Sequence, residues 1–195
     1  GWWQSISLID IDGDGDQDII AGNFGLNSRL KASVAEPVRM YLNDYDNNGR
    51  MEQVITYYLQ GKEMPFASKL QLEKSLPVLK KQFLYAEDFA KASLDDLFGK
   101  EKLTAATKLE ATQMANMLLI NEGKGKYNAM QLPAVAQFSN IRAIVPINSM
   151  DANSNAGKPA MAGALLLGNF GYNNIEIGRQ DANFGTVLQM AKTKS

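Results

Sequence analysis

Five carboxylates fall within nine residues near the start of the chain, in Asp10-Ile-Asp12-Gly-Asp14-Gly15-Asp16-Gln-Asp18. Left bare, such a cluster repels itself: a pair of like charges a few ångströms apart costs about 1 kcal/mol in water, and more in a partly buried loop. A hard divalent cation removes the conflict, and oxygen ligands on alternate residues of a tight loop are what calcium takes. The spacing D-x-D-x-D-G-x-x-D directs positions 1, 3, 5 and 9 (Asp10, Asp12, Asp14 and Asp18) at one centre. Gly15 supplies the sharp turn, and Asp16 offers its carbonyl. An EF-hand opens the same way, but it needs a glutamate at its twelfth position, where this chain has Ala21. The alternative is a solvated acidic turn that holds no metal.

A second loop repeats the pattern. Asp44, Asp46, Asn48 and Glu52 reproduce positions 1, 3, 5 and 9, with Gly49 at position 6 and Arg50 at the carbonyl position. The two loops begin 34 residues apart, Asp10 against Asp44, so the chain carries an internal repeat. A third stretch, Asp151-Ala-Asn153-Ser-Asn155-Ala-Gly157-Lys-Pro159, keeps the alternate spacing but replaces two carboxylates by amides and has no acid at position 9. It reads as a decayed copy without an ion, with Lys158 near the vacated space or the loop closed by Asx-turns. Gly22-Asn23-Phe24-Gly25 recurs letter for letter at Gly168-Asn169-Phe170-Gly171, which supports the repeat.

The runs flanking these loops are short and β-branched, and read as strands. They are Ile6 to Ile9 and Ile19 to Ala21 about the first loop, and Val38 to Leu42 and Val54 to Tyr58 about the second. Further strands are expected at Leu109 to Thr112, Asn116 to Ile120, Tyr127 to Leu132, Gln137 to Ile147 and Leu165 to Leu167. Between about residues 66 and 107 the pattern turns helical. Ser75-Leu76-Pro77 opens a helix with Leu76, Leu79 and Phe83 on one face. Ser93 caps a second, which Gly99 ends, and residues 101 to 106 form a third. The fold class expected is mainly β with a helical insertion.

Net charge is −1, so there is no basic field to draw nucleic acid. Cysteine and histidine are both absent, which removes thiol and imidazole chemistry, Cys/His metal sites and disulfides. No apolar run approaches the roughly 20 residues of a membrane-spanning helix, so membrane insertion by this segment is not expected. The 195 residues suffice for one domain or two small ones. The abrupt Gly1-Trp2-Trp3 start reads as a cut from something longer, and the tail Ala191 to Ser195 as frayed.

Strand, D-x-D-x-D-G-x-x-D loop, strand and Gly-Asn together resemble FG-GAP/VCBS repeats, the units of integrin-α-like β-propellers. The runs Gly22 to Ser28, Tyr57-Tyr58, Gly61-Lys62-Glu63, Pro65 to Ser68, Asp96 to Lys100 and Gly178 to Asp181 are similar to the exported bacterial VCBS-repeat proteins that often carry an ASPIC/UnbV segment. The resemblance covers nearly the whole chain, residues 1 to 195, as one repeat region of a larger protein. It implies partial β-propeller-like blades with calcium at the blade loops, placement in an extracellular, periplasmic or outer-surface setting, and no established catalysis. Such proteins usually keep a third intact loop, where this chain departs. About three blade-like units are expected, short of a closed ring, with the rest of the parent chain or another copy completing the fold.

Two functions follow. The first is a calcium-binding segment for recognition of a protein or glycan at the cell surface. The second is a carbohydrate-active enzyme, or its accessory domain, working through paired carboxylates. Outside the loops, Glu36, Glu63, Glu73, Asp88 and Glu110 show no local grouping in the sequence, and Arg179 and Asp181 read as a structural pair. Trp2, Trp3, Tyr57 and Tyr58 could stack on sugars, with one of each adjacent pair expected inward.

Overall fold

Apolar and polar side chains alternate along Ser5–Ile9, and in the computed structural model this run is strand β1, with its even residues exposed and Ile9 buried. The structure describes residues 1–150, 159–172 and 177–189, without the side chains of 148–150 and 159–162. The strands that follow are β2 (Asp18–Gly22), β3 (Val38–Asn43), β4 (Glu52–Leu59), β5 (Lys62–Pro65), β6 (Thr107–Ala111), β7 (Met117–Asn121), β8 (Tyr127–Gln131), β9 (Ala143–Met150), β10 (Pro159–Leu167) and β11 (Thr186–Gln189). Five short helices, α1 (Lys69–Ser75), α2 (Val78–Gln82), α3 (Ala86–Lys91), α4 (Leu94–Phe98) and α5 (Lys100–Ala105), lie between β5 and β6. The protein is mainly β, in three antiparallel sheets, with no closed ring among the described residues. No helix among them is long and apolar enough to cross a membrane.

The chain divides into two compact units, Gly1–Arg29 with Met114–Ser195, and Leu30–Gln113, where the sequence reading treated it as one region. In the first unit, sheets β1-β2-β7-β8 and β11-β10-β9 pack face to face. Ile20 and Leu118 of one meet Ala164, Leu166 and Leu188 of the other, with Ile9, Ile141 and Leu132 completing the core. Cross-strand partners share a face, so the opposite face of the first sheet carries Ile6, Leu8, Ile19 and Leu119. Ile6 is 70% exposed and Leu8 58%. The second sheet's outer face likewise carries Val145, Leu165 and Val187, with Val145 47% exposed and Val187 58%. Both outer faces are therefore apolar and partly exposed, although Ala21 and Met117 on the first are buried.

In the second unit the sheet runs β5-β4-β3-β6, and the helices cover part of one face. Leu72, Leu76, Leu79, Phe83, Leu97 and Phe98 close over Val54 and Tyr45. Leu76, Leu79 and Phe83 are buried as their spacing predicts. Ser93 caps α4 through a reciprocal capping box with Asp96, and Gly99, at φ 80°, ends it. Two expectations need correcting, and one helix had no counterpart in the sequence reading. Ser75 closes α1, itself capped by Ser68, while α2 starts at Val78 after Pro77. Helix α3 has no side-chain cap and buries none of its residues, so it left no apolar signal in the sequence. The segment from Gln137 is not strand before Ala143: Pro133 starts a 3-10 turn at Ala134–Gln137, and Ile141 and Arg142 give their N–H groups to Asn23 O and Leu167 O.

Asp151 to Lys158, the third loop, and the tail from Ala191 lie outside the described residues. Of the aromatic pairs, Tyr57 is buried against Phe66, while the Tyr58 hydroxyl accepts from Arg39 on the opposite face. Trp2 meets Phe24 edge to face at 5.2 Å, and Trp3 is exposed. Arg179 pairs with Asp181 at 2.9 Å on the surface.

Candidate functional site

Both acidic loops are the closed ends of β-hairpins, β1 to β2 and β3 to β4, which excludes the helix-flanked EF-hand. Four bonds recur in both loops, while the Oδ1 of position 1 accepts from Gly13 N in the first and from Asn48 N in the second. At position 1, Asp10 Oδ2 accepts from Gly15 N at 3.1 Å, and Asp44 Oδ2 from Gly49 N at 2.8 Å. At position 3, Asp12 Oδ1 accepts from Asp14 N, and Asp46 Oδ1 from Asn48 N, both at 3.2 Å. At position 5, Asp14 Oδ1 accepts from Asp16 N, and Asn48 Oδ1 from Arg50 N, both at 2.8 Å. At position 9, Asp18 Oδ2 accepts from Ile11 N at 2.9 Å, and Glu52 Oε2 from Tyr45 N at 3.0 Å. Turn geometry matches as well. Position 6 is Gly15 or Gly49, at φ 101° and 82°, and position 4 is Gly13 or Asn47, at φ 84° and 59°. Asparagine and glycine are the residues that accept this left-handed backbone most readily.

The result is two convergent carboxylate groups, Asp10 with Asp12 and Asp18, and Asp44 with Asp46 and Glu52. In each, one oxygen per residue lies within 4.8 Å of the others. Oxygens sharing a calcium ion at 2.3–2.6 Å can stand no more than about 5 Å apart, so both groups could hold a metal ion. Asp14 is not a member of the first group; its carboxylate holds Asp16 N–H. Asp16 and Arg50 are placed by the N–H bonds they give, and Asn48 sits where Asp14 does in the first loop. Asp18 is fully buried, and its second oxygen accepts from Asn121 N in β7 at 2.8 Å.

The two loops differ in how their charge is balanced. Burial first, then Asp18, Asp14 and Asp10, push the Asp12 carboxyl above its ordinary range, against a hydrogen bond from Asp14 N that works the other way. That is the crowding a cation would relieve. At Asp44 burial also pushes upward, but N–H donors from Gly49, Asn48 and Asn47, with the nearby Lys102 charge, carry the carboxyl below its ordinary range. Lys102 of α5 donates to Tyr45 O at 2.6 Å and to Asn47 Oδ1 at 3.0 Å, so the second loop already has a cation beside it. Replacing Lys102 by methionine is expected to tighten divalent-ion binding at the second loop by roughly three- to tenfold, the weight of one nearby charge at the protein surface. Calorimetric titration of the variant checks this, and unchanged or weaker affinity counts against it.

Sequence reading missed two polar assemblies. Asn116, fully buried, takes Asn23 N on its oxygen at 2.6 Å and gives its amide to Ala136 O and Ser139 O. Gln137 closes this junction, its side chain bonding both Asn116 N and Asn116 O. In the second unit, Glu63 and Glu110, which show no local grouping in the sequence, come together through strand pairing. Arg39 joins them, at 2.6 Å and 2.7 Å, because β3 lies between β4 and β6 and presents Arg39 beside Glu110 and Thr56. Thr56 and Tyr41 donate to the other Glu63 oxygen. No family model, no curated protein and no solved structure matches this chain.

Proposed function

We propose that the chain is a calcium-binding segment of a β-propeller of the FG-GAP/VCBS type, belonging to an exported bacterial protein of the ASPIC/UnbV-associated group and serving recognition of a protein or glycan outside the cytoplasm. The observation that carries the metal part is the identity of the two loops: four equivalent carboxylate or amide positions, held by equivalent bonds, gather three carboxylates in each hairpin end. A repeat that preserves ligand geometry while the intervening residues change is what a retained ion would produce. Calcium suits these oxygen ligands on a flexible loop better than magnesium, which demands near-octahedral geometry and sheds water reluctantly. The propeller reading draws on the two face-packed sheets of the first unit, whose outer faces remain apolar. Further blades, from the rest of a parent chain or another copy, would cover them.

Catalysis by paired carboxylates is less well supported. A general acid must hold its proton near neutral pH, whereas hydrogen bonds from Arg39 and Lys108 keep the Glu110 carboxyl below its usual range. The metal reading is tested by melting the protein with excess calcium and with a chelator. A folded-state ligand contributes RT ln(1 + [L]/Kd), about 2.7 kcal/mol per site at a hundredfold excess, and about 1 kcal/mol when calcium only modestly exceeds Kd. The melting temperature should rise with calcium, by several degrees for two sites, and fall with chelator. An unchanged transition would sink the metal reading.

A further inference from the structure

We propose that Asn48 is a site of spontaneous deamidation, and that its aspartate product gives the second loop the acid that Asp14 supplies in the first. The modification stands on the chain alone, while its effect on ion binding rests on the metal reading above. Asn48-Gly49 is the one Asn-Gly pair in the sequence, and both residues are exposed. The chemistry needs this pair. The backbone nitrogen of the following residue must reach the asparagine Cγ, and a side chain on that residue obstructs the approach. Glycine has none, and its backbone angles are the least restricted. Even a Cβ placed on Gly49 would meet nothing within 4 Å, so no neighbouring group fences the reacting atoms.

In the reaction Gly49 N attacks Asn48 Cγ. The proton of Gly49 N leaves with the side-chain nitrogen as ammonia, and a succinimide ring closes. Water then opens the ring. Cleavage of the new bond from Cγ to nitrogen gives aspartate with the main chain restored. Cleavage of the original peptide bond gives isoaspartate, with the main chain routed through Cβ and Cγ. Water is the only co-reactant.

The loop's own hydrogen bonds set the pace. Gly49 N donates to Asp44 Oδ2 at 2.8 Å, and Asn48 Oδ1 accepts from Arg50 N at 2.8 Å, so both reacting groups are engaged while the loop is closed. Both bonds are exposed, and they can open locally without unpacking the core. The loop also favours one product. Asp14 Oδ1 takes Asp16 N at the same 2.8 Å at which Asn48 Oδ1 takes Arg50 N, so aspartate fits the place of the amide. Its added charge stands beside the convergent group of Asp44, Asp46 and Glu52, and offsets that of Lys102. Isoaspartate does not fit. The Asp44 carboxylate holds the consecutive N–H groups of Asn48 and Gly49, at 3.0 Å and 2.8 Å, and an extra main-chain carbon between them breaks that pairing.

The test begins with incubation of the full chain in chelator. Mass spectrometry follows the peptide that carries Asn48, with fragmentation that separates aspartate from isoaspartate. Asn48 should convert, while Asn47, exposed in the same loop but followed by asparagine, should stay an amide. Asp44→Ala frees Gly49 N and should speed conversion about tenfold, the weight of a charge-assisted hydrogen bond. No conversion, equal conversion of Asn47, or indifference to Asp44→Ala overturns the site. The product is tested by calorimetric titration of Asn48→Asp with calcium, in an Asp12→Ala background that disables the first loop. Affinity at the second loop should rise roughly three- to tenfold over the same background with Asn48, the effect of one nearby surface charge. Unchanged or weaker affinity, or isoaspartate as the sole product, overturns the claim for aspartate. Calcium binding to neither protein refutes the metal reading, and leaves the modification to stand or fall on the mass measurement.

Discussion

Asp18→Ala is expected to destabilise the first unit by about 2–4 kcal/mol in chelator, before any metal is considered. Asp18 is fully buried at the start of β2, where one carboxylate oxygen holds Ile11 N and the other holds Asn121 N. Alanine removes both acceptors at once. Each N–H stranded away from water costs roughly 1–3 kcal/mol, because the unfolded chain regains hydration that the folded one lacks. The bond to Asn121 also ties the loop to β7, so its loss loosens the hairpin end against the next strand. Asp18→Asn keeps the shape and one acceptor oxygen, and should cost about half as much. Asp14→Ala is the control. Its carboxylate holds one exposed N–H, that of Asp16, and its loss should cost no more than about 1 kcal/mol in chelator. Added calcium should stabilise the Asp14 variant far more than the Asp18 variant, since Asp18 belongs to the convergent group and Asp14 does not. Urea denaturation with and without calcium measures all of these. Equal losses for the Asp14 and Asp18 variants would show that position 9 has no special role.

These loops were legible in the sequence because their geometry is local. Every candidate ligand of a loop falls within nine residues, and the bonds that recur in both loops span seven residues or fewer. The flanking strands were legible for a similar reason, their short β-branched runs ending at glycine or acidic turns. Arg39 was not, since its partners Glu63 and Glu110 are 24 and 71 residues away and meet it only through strand pairing. Asn116 was missed likewise, a lone asparagine whose partners lie 20 to 93 residues away. A usable signal did exist for α1, where Ser68 precedes Leu72 and Leu76 at helical spacing, a cap before an apolar face. The strand expected from Gln137 failed because its apolar residues suit β structure, while Pro133 and the needs of the Asn116 junction favour a turn. Local pattern could not weigh that long-range demand.

The repeated Gly-Asn-Phe-Gly carries the second large effect, and it is one of space and not of backbone freedom. Gly22 and Gly168 both abut the segment Asn140-Ile141-Arg142, which gives Ile141 N to Asn23 O and Arg142 N to Leu167 O. A Cβ on Gly168 would collide with Asn140 O, and would stand 2.7 Å from Arg142 N and 2.8 Å from Ile141 Cα. All three are backbone atoms, held on both sides, so no rotamer change relieves the clash. A Cβ on Gly22 would meet Ser5 Oγ, which can turn away, and Ile141 O, which cannot. Gly168→Ala is therefore expected to cost at least about 3 kcal/mol, the upper range of overpacking, and Gly22→Ala nearly as much. The second glycine of the second copy supplies the comparison. Gly171 has nothing within 4 Å of its would-be Cβ, so alanine there should shift stability by less than about 0.5 kcal/mol. The repeated tetrapeptide thus keeps its first glycine for the same close approach in both copies. Denaturant midpoints for the three alanine variants decide the matter, and a Gly168 variant as stable as the Gly171 variant would mean that the 140–142 segment yields and does not pin the two sheets.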